Sequence, residues 1–138
     1  MEQERRTLTI IWLALMGGVA MYTAIAFILT TQVLTDPPLD AGLIPLVGLA
    51  VIAPLTLSFV LRRVLVDRIP PGADDAARVG GYRLAVLVSL AIAEGAGLLL
   101  VTAAMMGGTT LWVLAGGVGS VLVMAMQRPD LSQVLPGA

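Results

Sequence analysis

The sequence predicts an all-α membrane protein, an antiparallel bundle of four transmembrane helices arranged as two hairpins. Three observations support this prediction: 58% of the 138 residues are hydrophobic, only 12% are charged, and the chain contains four long apolar runs. Soluble domains average about half apolar and a quarter charged residues. The core of a water-soluble domain of this size could not bury this much apolar surface. We therefore expect a single four-helix transmembrane domain over residues 1–138.

The apolar runs place the four spans at Leu8–Thr30, Leu43–Leu61, Leu84–Met106 and Thr109–Met126. Two arginines precede the first run, as they do in a secretory signal. That run is too long for the apolar region of a signal, however, and no small-residue cleavage site follows it. We therefore expect a first transmembrane helix that is retained.

The second run contains two prolines with different consequences. Pro45 falls in the first helical turn, where its missing N–H costs little. Pro54 lies inside the run and predicts a kink that frees the carbonyl group of Ala50. The kink is either a feature of shape alone or a source of one acceptor for an ion or a hydrogen bond.

The link between the second and third spans is expected to be partly helical. Residues 62–68 can extend the second helix, and the Ile-Pro-Pro-Gly sequence at 69–72 ends it. Asp74 or Asp75 can cap the next helix, where an acidic side chain also suits the helix dipole. The link is either a solvated connector or a docking surface for a cytoplasmic partner.

The third and fourth spans are expected to form a tight hairpin. Gly107-Gly108 is essentially the whole link between them, so residues equidistant from it should lie at similar depth. This places Ser120 opposite Gly95 and Val121 opposite Glu94. Ser120 is then either a hydrogen-bond partner for the Glu94 carboxyl group or a small residue that helps the helices pack.

Small residues at helical spacing indicate where the helices approach each other. In lipid, helices associate through close packing of small side chains rather than through exclusion of water. The sequence AGGVGS at 115–120 predicts a groove in the fourth helix. The expected helix-packing positions are Gly95, Gly97, Gly116, Gly117 and Gly119.

The distribution of arginine predicts the orientation. The basic residues are Arg5, Arg6, Arg62, Arg63, Arg68, Arg78, Arg83 and Arg128, and the link over 31–42 contains none of them. By the positive-inside rule both termini are expected in the cytoplasm. Frequent Ala, Gly, Val, Leu and Arg are typical of a GC-rich bacterial genome, so we expect a bacterial inner-membrane protein.

Composition also excludes several classes of function. The chain has no cysteine and no histidine, so the usual zinc sites, haem ligation by histidine and Ser-His-Asp or Cys-His catalysis are excluded. A net charge of −1 offers no basic face for nucleic acid. We expect no cofactor, no metal site, no nucleic-acid partner and no enzymatic activity.

Glu94 is the strongest candidate for function because it lies near the centre of the apolar run Leu84–Met106. As a helix that run spans about 34 Å, against a hydrocarbon core of roughly 30 Å, which places the carboxyl group near the membrane midplane. An ionisable group there is costly and commonly functional. Three roles remain open: a protonated carboxyl that hydrogen-bonds to another helix, a site of proton or cation exchange, and catalysis.

The stretch from Leu90 to Val101, LAIAEGAGLLLV, resembles the carboxylate helix of the rotary ATP synthase c subunit, or proteolipid. The Gly-rich AGGVGS segment is similar to the other proteolipid helix, although it follows the carboxylate helix here instead of preceding it. The resemblance implies that Glu94 is the ion-binding carboxylate of a ring-like oligomer. The Ala91-x-x-Glu94 pattern also resembles small bacterial four-helix membrane proteins.

Three functions are therefore compatible with the sequence. The first is a proteolipid-like protein, a homo-oligomer or a member of a larger membrane complex, in which Glu94 and Ser120 hold a proton or cation. The second is a structural accessory subunit in which Glu94 only hydrogen-bonds between helices. The third is a small drug/proton exchanger, which is disfavoured because such exchangers have their glutamate in the first helix.

Overall fold

The computed structural model describes residues 2–33 and 39–135, and these residues form helices and turns with no strand. The elements are α1 (Glu2–Gln32), α2 (Ile44–Asp67), α3 (Asp75–Met106) and α4 (Thr110–Met126), with short 3₁₀ turns at Ala41–Leu43 and Leu131–Gln133. For this part of the chain the all-α prediction is confirmed. The centre of the arginine-free link, residues 34–38, lies outside the described residues.

Three of the four helices are long and apolar enough to cross a membrane. They cover Glu2–Gln32, Ala41–Asp67 and Asp75–Met106, and their most apolar windows have mean hydropathies of 2.0, 2.3 and 2.3. The fourth helix, α4, is apolar but has only 17 residues, or about 26 Å of helix. These lengths and compositions indicate a membrane protein.

The ends of α2 and α3 lie where the sequence predicts them. Helix α2 continues to Asp67 before the prolines end it. Asp74 caps α3, because its carboxylate accepts a hydrogen bond from the backbone N–H of Ala77 at 2.7 Å. Helix α1, in contrast, begins at Glu2, well before the apolar run that starts at Leu8. Acidic side chains in its first turn suit the positive end of the helix dipole and support this extension.

Side-chain pairs show the relative directions of the helices. Glu4 meets Arg83, and further along the same seam Tyr22 meets Thr102, so α1 and α3 run in the same direction. The Trp12 indole N–H donates to the carbonyl of Met124 at 2.8 Å. Thr23, which comes later in α1, lies against Gly117, which comes earlier in α4. Helices α1 and α4 are therefore antiparallel.

Helix α3 is the centre of the bundle. It packs against α1, α2 and α4, and α1 also packs against α4. Within the described residues, α1 and α2 are not an extensively packed pair, although they are consecutive in the chain. Helices α3 and α4 form the expected hairpin, and Gly108 takes φ 64° in their turn. The prediction of a second hairpin, made by α1 and α2, is not confirmed.

All the described arginines gather at one end of the bundle, which we call the arginine-rich end. It comprises the start of α1, the end of α2, the start of α3 and the segment after α4. Away from this end, large apolar side chains cover the outside of the bundle, and Leu111 and Leu49 are 78% and 65% exposed. Such a surface suits contact with lipid, because monomeric soluble proteins rarely expose large contiguous apolar patches.

Candidate functional site

Glu94 lies on the side of α3 that faces α1. Its Oε1 atom is 4.0 Å from the position that a Cβ atom on Gly18 would occupy. The side chain is only partly buried, whereas its neighbour Ala93 is fully buried in the core. The carboxyl group thus lies beside Gly18, at a distance that would also accommodate a Cβ atom in ordinary van der Waals contact.

The Glu94 carboxyl group has no hydrogen-bond or ion-pair partner among residues 2–33 and 39–135. Other polar side chains on the same seam are paired: the Tyr22 and Thr102 hydroxyls are 2.8 Å apart, and Arg83 Nη1 lies 3.9 Å from Glu4 Oε2. Glu94 is also the one charged residue inside the four apolar runs. Within the described residues, no basic side chain is therefore placed beside this carboxyl group.

The surroundings of Glu94 are open towards the outside of the bundle. A Cβ atom added at Gly17 or Gly95 would meet no atom within 4 Å. Both glycines and Ala91 are exposed, so the carboxyl group lies beside a surface of small residues rather than beneath bulky ones. A ligand or a helix from another chain can therefore reach the carboxyl group without rearrangement of the bundle.

Ser120 does not meet Glu94, in contrast to the register expected from the glycine turn. Its side chain is 1% exposed and lies against Gly97, where an added Cβ would be 1.8 Å from Ser120 Oγ. Among the described residues this hydroxyl has no hydrogen-bond partner. The turn extends to Thr109, whose N–H donates to Ala104 at 3.0 Å. The centre of the turn therefore lies about one residue later in the chain than Gly107-Gly108 implied. As a result, Ser120 faces a residue of α3 about two positions later than expected, Gly97 instead of Gly95.

The five glycines named in the sequence analysis fall into two groups. A Cβ atom added at Gly117 would lie 2.1 Å from Thr23 Oγ1, and one added at Gly116 would lie 3.1 Å from Leu100 Cγ. A Cβ atom added at Gly97 would overlap Ser120, as described above. These three positions allow α3, α4 and α1 to approach. Gly95 and Gly119 have open space around them, so close packing within the chain does not require them.

A second polar cluster, at the arginine-rich end, was not recognised from the sequence. Arg62 donates from Nη1 to the carbonyl of Gln127 at 2.5 Å and from Nη2 to the Tyr82 hydroxyl at 2.7 Å. A longer bond of 3.2 Å joins Nη2 to the carbonyl of Arg128. The guanidinium group therefore satisfies carbonyls at the end of α4, where a cation is also favoured by the helix dipole.

Tyr82 and Gln127 complete this cluster. Tyr82 is fully buried, and its hydroxyl accepts a 2.7 Å bond from the N–H of Asp130. The amide of Gln127, 1% exposed, donates to Ser58 Oγ at 2.7 Å. The cluster joins α2, α3 and the segment after α4, so its geometry indicates a structural role.

The chemistry available to the site is limited to what one carboxyl group provides. Among residues 2–33 and 39–135, no group of three or more Asp, Glu, His or Cys side chains is placed to hold a metal ion. Glu94 can bind and release a proton, contribute one oxygen ligand to a cation, or bond to a donor on another molecule. Comparisons with protein-family models, with curated proteins and with solved structures find no match.

Proposed function

We propose that this chain is a small multi-pass membrane protein, proteolipid-like, in which Glu94 binds a proton or a cation within an oligomer or a larger membrane complex. One observation carries the proposal: the carboxyl group has no partner in the described residues and lies beside exposed glycines and alanine at the α1–α3 seam. Ionisable groups within membrane spans commonly serve proton and ion pathways.

The proposal includes four crossings, with both termini in the cytoplasm of a bacterial cell. Helix α4 would cross with the exposed, charged Arg128 just after its end reaching the interface, which compensates for its short length. Arginine at one end of the bundle supports the orientation, because basic loops stay in the cytoplasm. The arrangement leaves Glu94 about 16 Å of helix from Arg83 and about 18 Å from Met106.

A second candidate function is a structural subunit in which Glu94 hydrogen-bonds to a helix of another chain. The open space at Gly17 and Gly95 favours it, because small residues let a second backbone approach closely. A bond to Ser120 of the same chain does not serve this role, because Ser120 lies against Gly97. The two candidates differ in whether the group must titrate.

The distinguishing experiment replaces Glu94 by glutamine, which retains hydrogen bonding and loses titration. Glu4→Gln, at the arginine-rich end, is the matched control with the same chemical change. Purified variants are compared for oligomeric state and for proton or cation flux in liposomes. We expect Glu94→Gln to assemble normally and to lose flux, and Glu4→Gln to match the wild type. Undiminished flux with Glu94→Gln would contradict the ion site and favour the structural role.

A further inference from the structure

A basic cavity lies at the arginine-rich end, separate from the surface beside Glu94. It has a volume of about 370 Å³ and lies between the start of α1 and the segment after α4. Its lining residues are Arg5, Thr9, Arg128, Pro129, Asp130 and Gln133. Both arginine side chains are exposed, and within the described residues neither forms a side-chain hydrogen bond or an ion pair.

The ends of the apolar runs indicate the depth of this cavity relative to the membrane. Thr9 is the second residue of the first run, and Arg128 follows the last apolar residue of α4, Met126, by two positions. Both helices therefore leave the hydrocarbon region at the height of the cavity. A phospholipid headgroup occupies this height in a bilayer, and basic pockets between transmembrane helices at this level bind anionic headgroups.

The charge of the cavity fits a singly charged phosphate group. Two arginines and one aspartate give a net charge of about +1. Asp130 is already engaged, because its Oδ1 accepts a 3.0 Å bond from the N–H of Ser132. Hydrogen bonds from Ser132 lower the pKa of Asp130, and the charges of Arg5 and Arg128 lower it further. The two guanidinium groups thus produce a positive field at the carboxylate, while their own donors remain open.

We propose that this cavity binds the phosphate of an anionic phospholipid from the leaflet at the arginine-rich end. The guanidinium groups of Arg5 and Arg128 bind the phosphate oxygens, and the Gln133 amide supplies a further donor. Arginine suits this role because its planar group presents paired N–H donors to a phosphate. The site is separate from Glu94, so this proposal rests on the membrane crossings of the proposed function but does not depend on its ion site.

The test measures lipid retained by the purified protein, by native mass spectrometry with phosphatidylglycerol or phosphatidylcholine in detergent. We expect phosphatidylglycerol to be preferred. The Arg5→Gln/Arg128→Gln variant should lose this preference by about tenfold for each arginine, the factor that corresponds to about 1.4 kcal/mol for a direct hydrogen bond between charged groups. The matched control, Arg6→Gln/Arg68→Gln, removes the same charge outside the cavity and should retain the preference. Equal losses in both variants, or none, would overturn the proposal.

A charge-gain variant keeps the test decisive if the double variant fails to fold. Asp130→Asn retains an oxygen that can accept from Ser132 and raises the cavity charge by one, so it should bind phosphatidylglycerol more tightly than the wild type does. An unchanged or weaker affinity would contradict the proposal. Inorganic phosphate separates the two possible sources of the anion: displacement of the lipid by millimolar phosphate would show that the cavity takes the free ion.

Discussion

The two polar regions of this apolar bundle, the Arg62 cluster and Glu94, satisfy their polar groups in opposite ways. Arg62 donates to three oxygens from two other parts of the chain. Glu94, deeper in the apolar region, bonds to none of the described residues. A buried polar group without a partner carries a desolvation penalty that a paired group largely avoids. The comparison therefore supports a structural role for the first region and supports our proposal that the second binds a proton, a cation or another molecule.

The largest expected effect tests the structural half of this comparison. Arg62→Leu removes three hydrogen bonds and leaves the Tyr82 hydroxyl with one donor, so we expect a loss of about 3 kcal/mol in the free energy of unfolding. Arg63→Leu, next in the chain but exposed, should change it by less than about 0.5 kcal/mol. Denaturation in detergent by circular dichroism measures both. Equal free energies of unfolding for the two variants would show that the Arg62 cluster does not stabilise the protein.

Substitution of two glycines on α3 by alanine should change the stability of the protein in opposite directions. Gly97→Ala places a Cβ atom on Ser120 and should destabilise the hairpin by about 1–3 kcal/mol through overpacking. Gly95→Ala meets no atom within 4 Å, so the better helix propensity of alanine should leave the protein as stable or more stable by up to about 1 kcal/mol. Thermal unfolding of the pair measures the difference. The reverse order would contradict the register of α3 and α4.

Glu94→Gln should have a smaller effect on stability than either of these changes. The carboxyl group makes no bond within the described residues, so its replacement by an amide of similar size should change the unfolding free energy of the isolated chain by less than about 0.5 kcal/mol. The same thermal measurement applies. A loss comparable to that of Arg62→Leu would mean that the carboxyl group is structural, and the contrast between the two regions would fail.

The smallest expected effect is local and depends on pH. Hydrogen bonds from Ser132 lower the pKa of Asp130, so its carboxylate stabilises the 3₁₀ turn at Leu131–Gln133 above the ordinary carboxyl pKa, and this contribution is lost as pH falls through the lowered value. Amide exchange of Ser132 should therefore lose protection on acidification. Asp130→Asn should remove most of this pH dependence. Protection that is the same at acidic and neutral pH would contradict the assignment.

Local signals in the sequence predicted the ends of the elements well. Prolines after Ile69 stop α2, Asp74 caps α3, and the glycine pair turns the chain into α4. Each of these depends on the backbone chemistry of a few neighbouring residues. The position of Glu94 inside an apolar run was equally visible, because depth along a helix follows from residue count.

Contacts between distant segments could not be predicted in the same way. A shift of about one residue in the turn centre placed Ser120 against Gly97, and nothing local fixes that shift. The side of α3 that faces α1 depends on the packing of the whole bundle. The bond from Arg62 to Gln127 joins residues 65 positions apart, and the polar character of residues near the interface gave the only available signal.

Carbodiimide labelling, mapped by mass spectrometry, tests the central claim most directly. A carboxyl group at mid-depth that exchanges protons should react with an apolar carbodiimide and resist a water-soluble one. Because the reaction requires the protonated acid, labelling should decline as pH rises. The exposed carboxylates Asp67 and Asp75 are internal controls that should show the opposite preference between reagents. Absence of labelling at Glu94 by the apolar reagent, or equal labelling by both, would contradict the account.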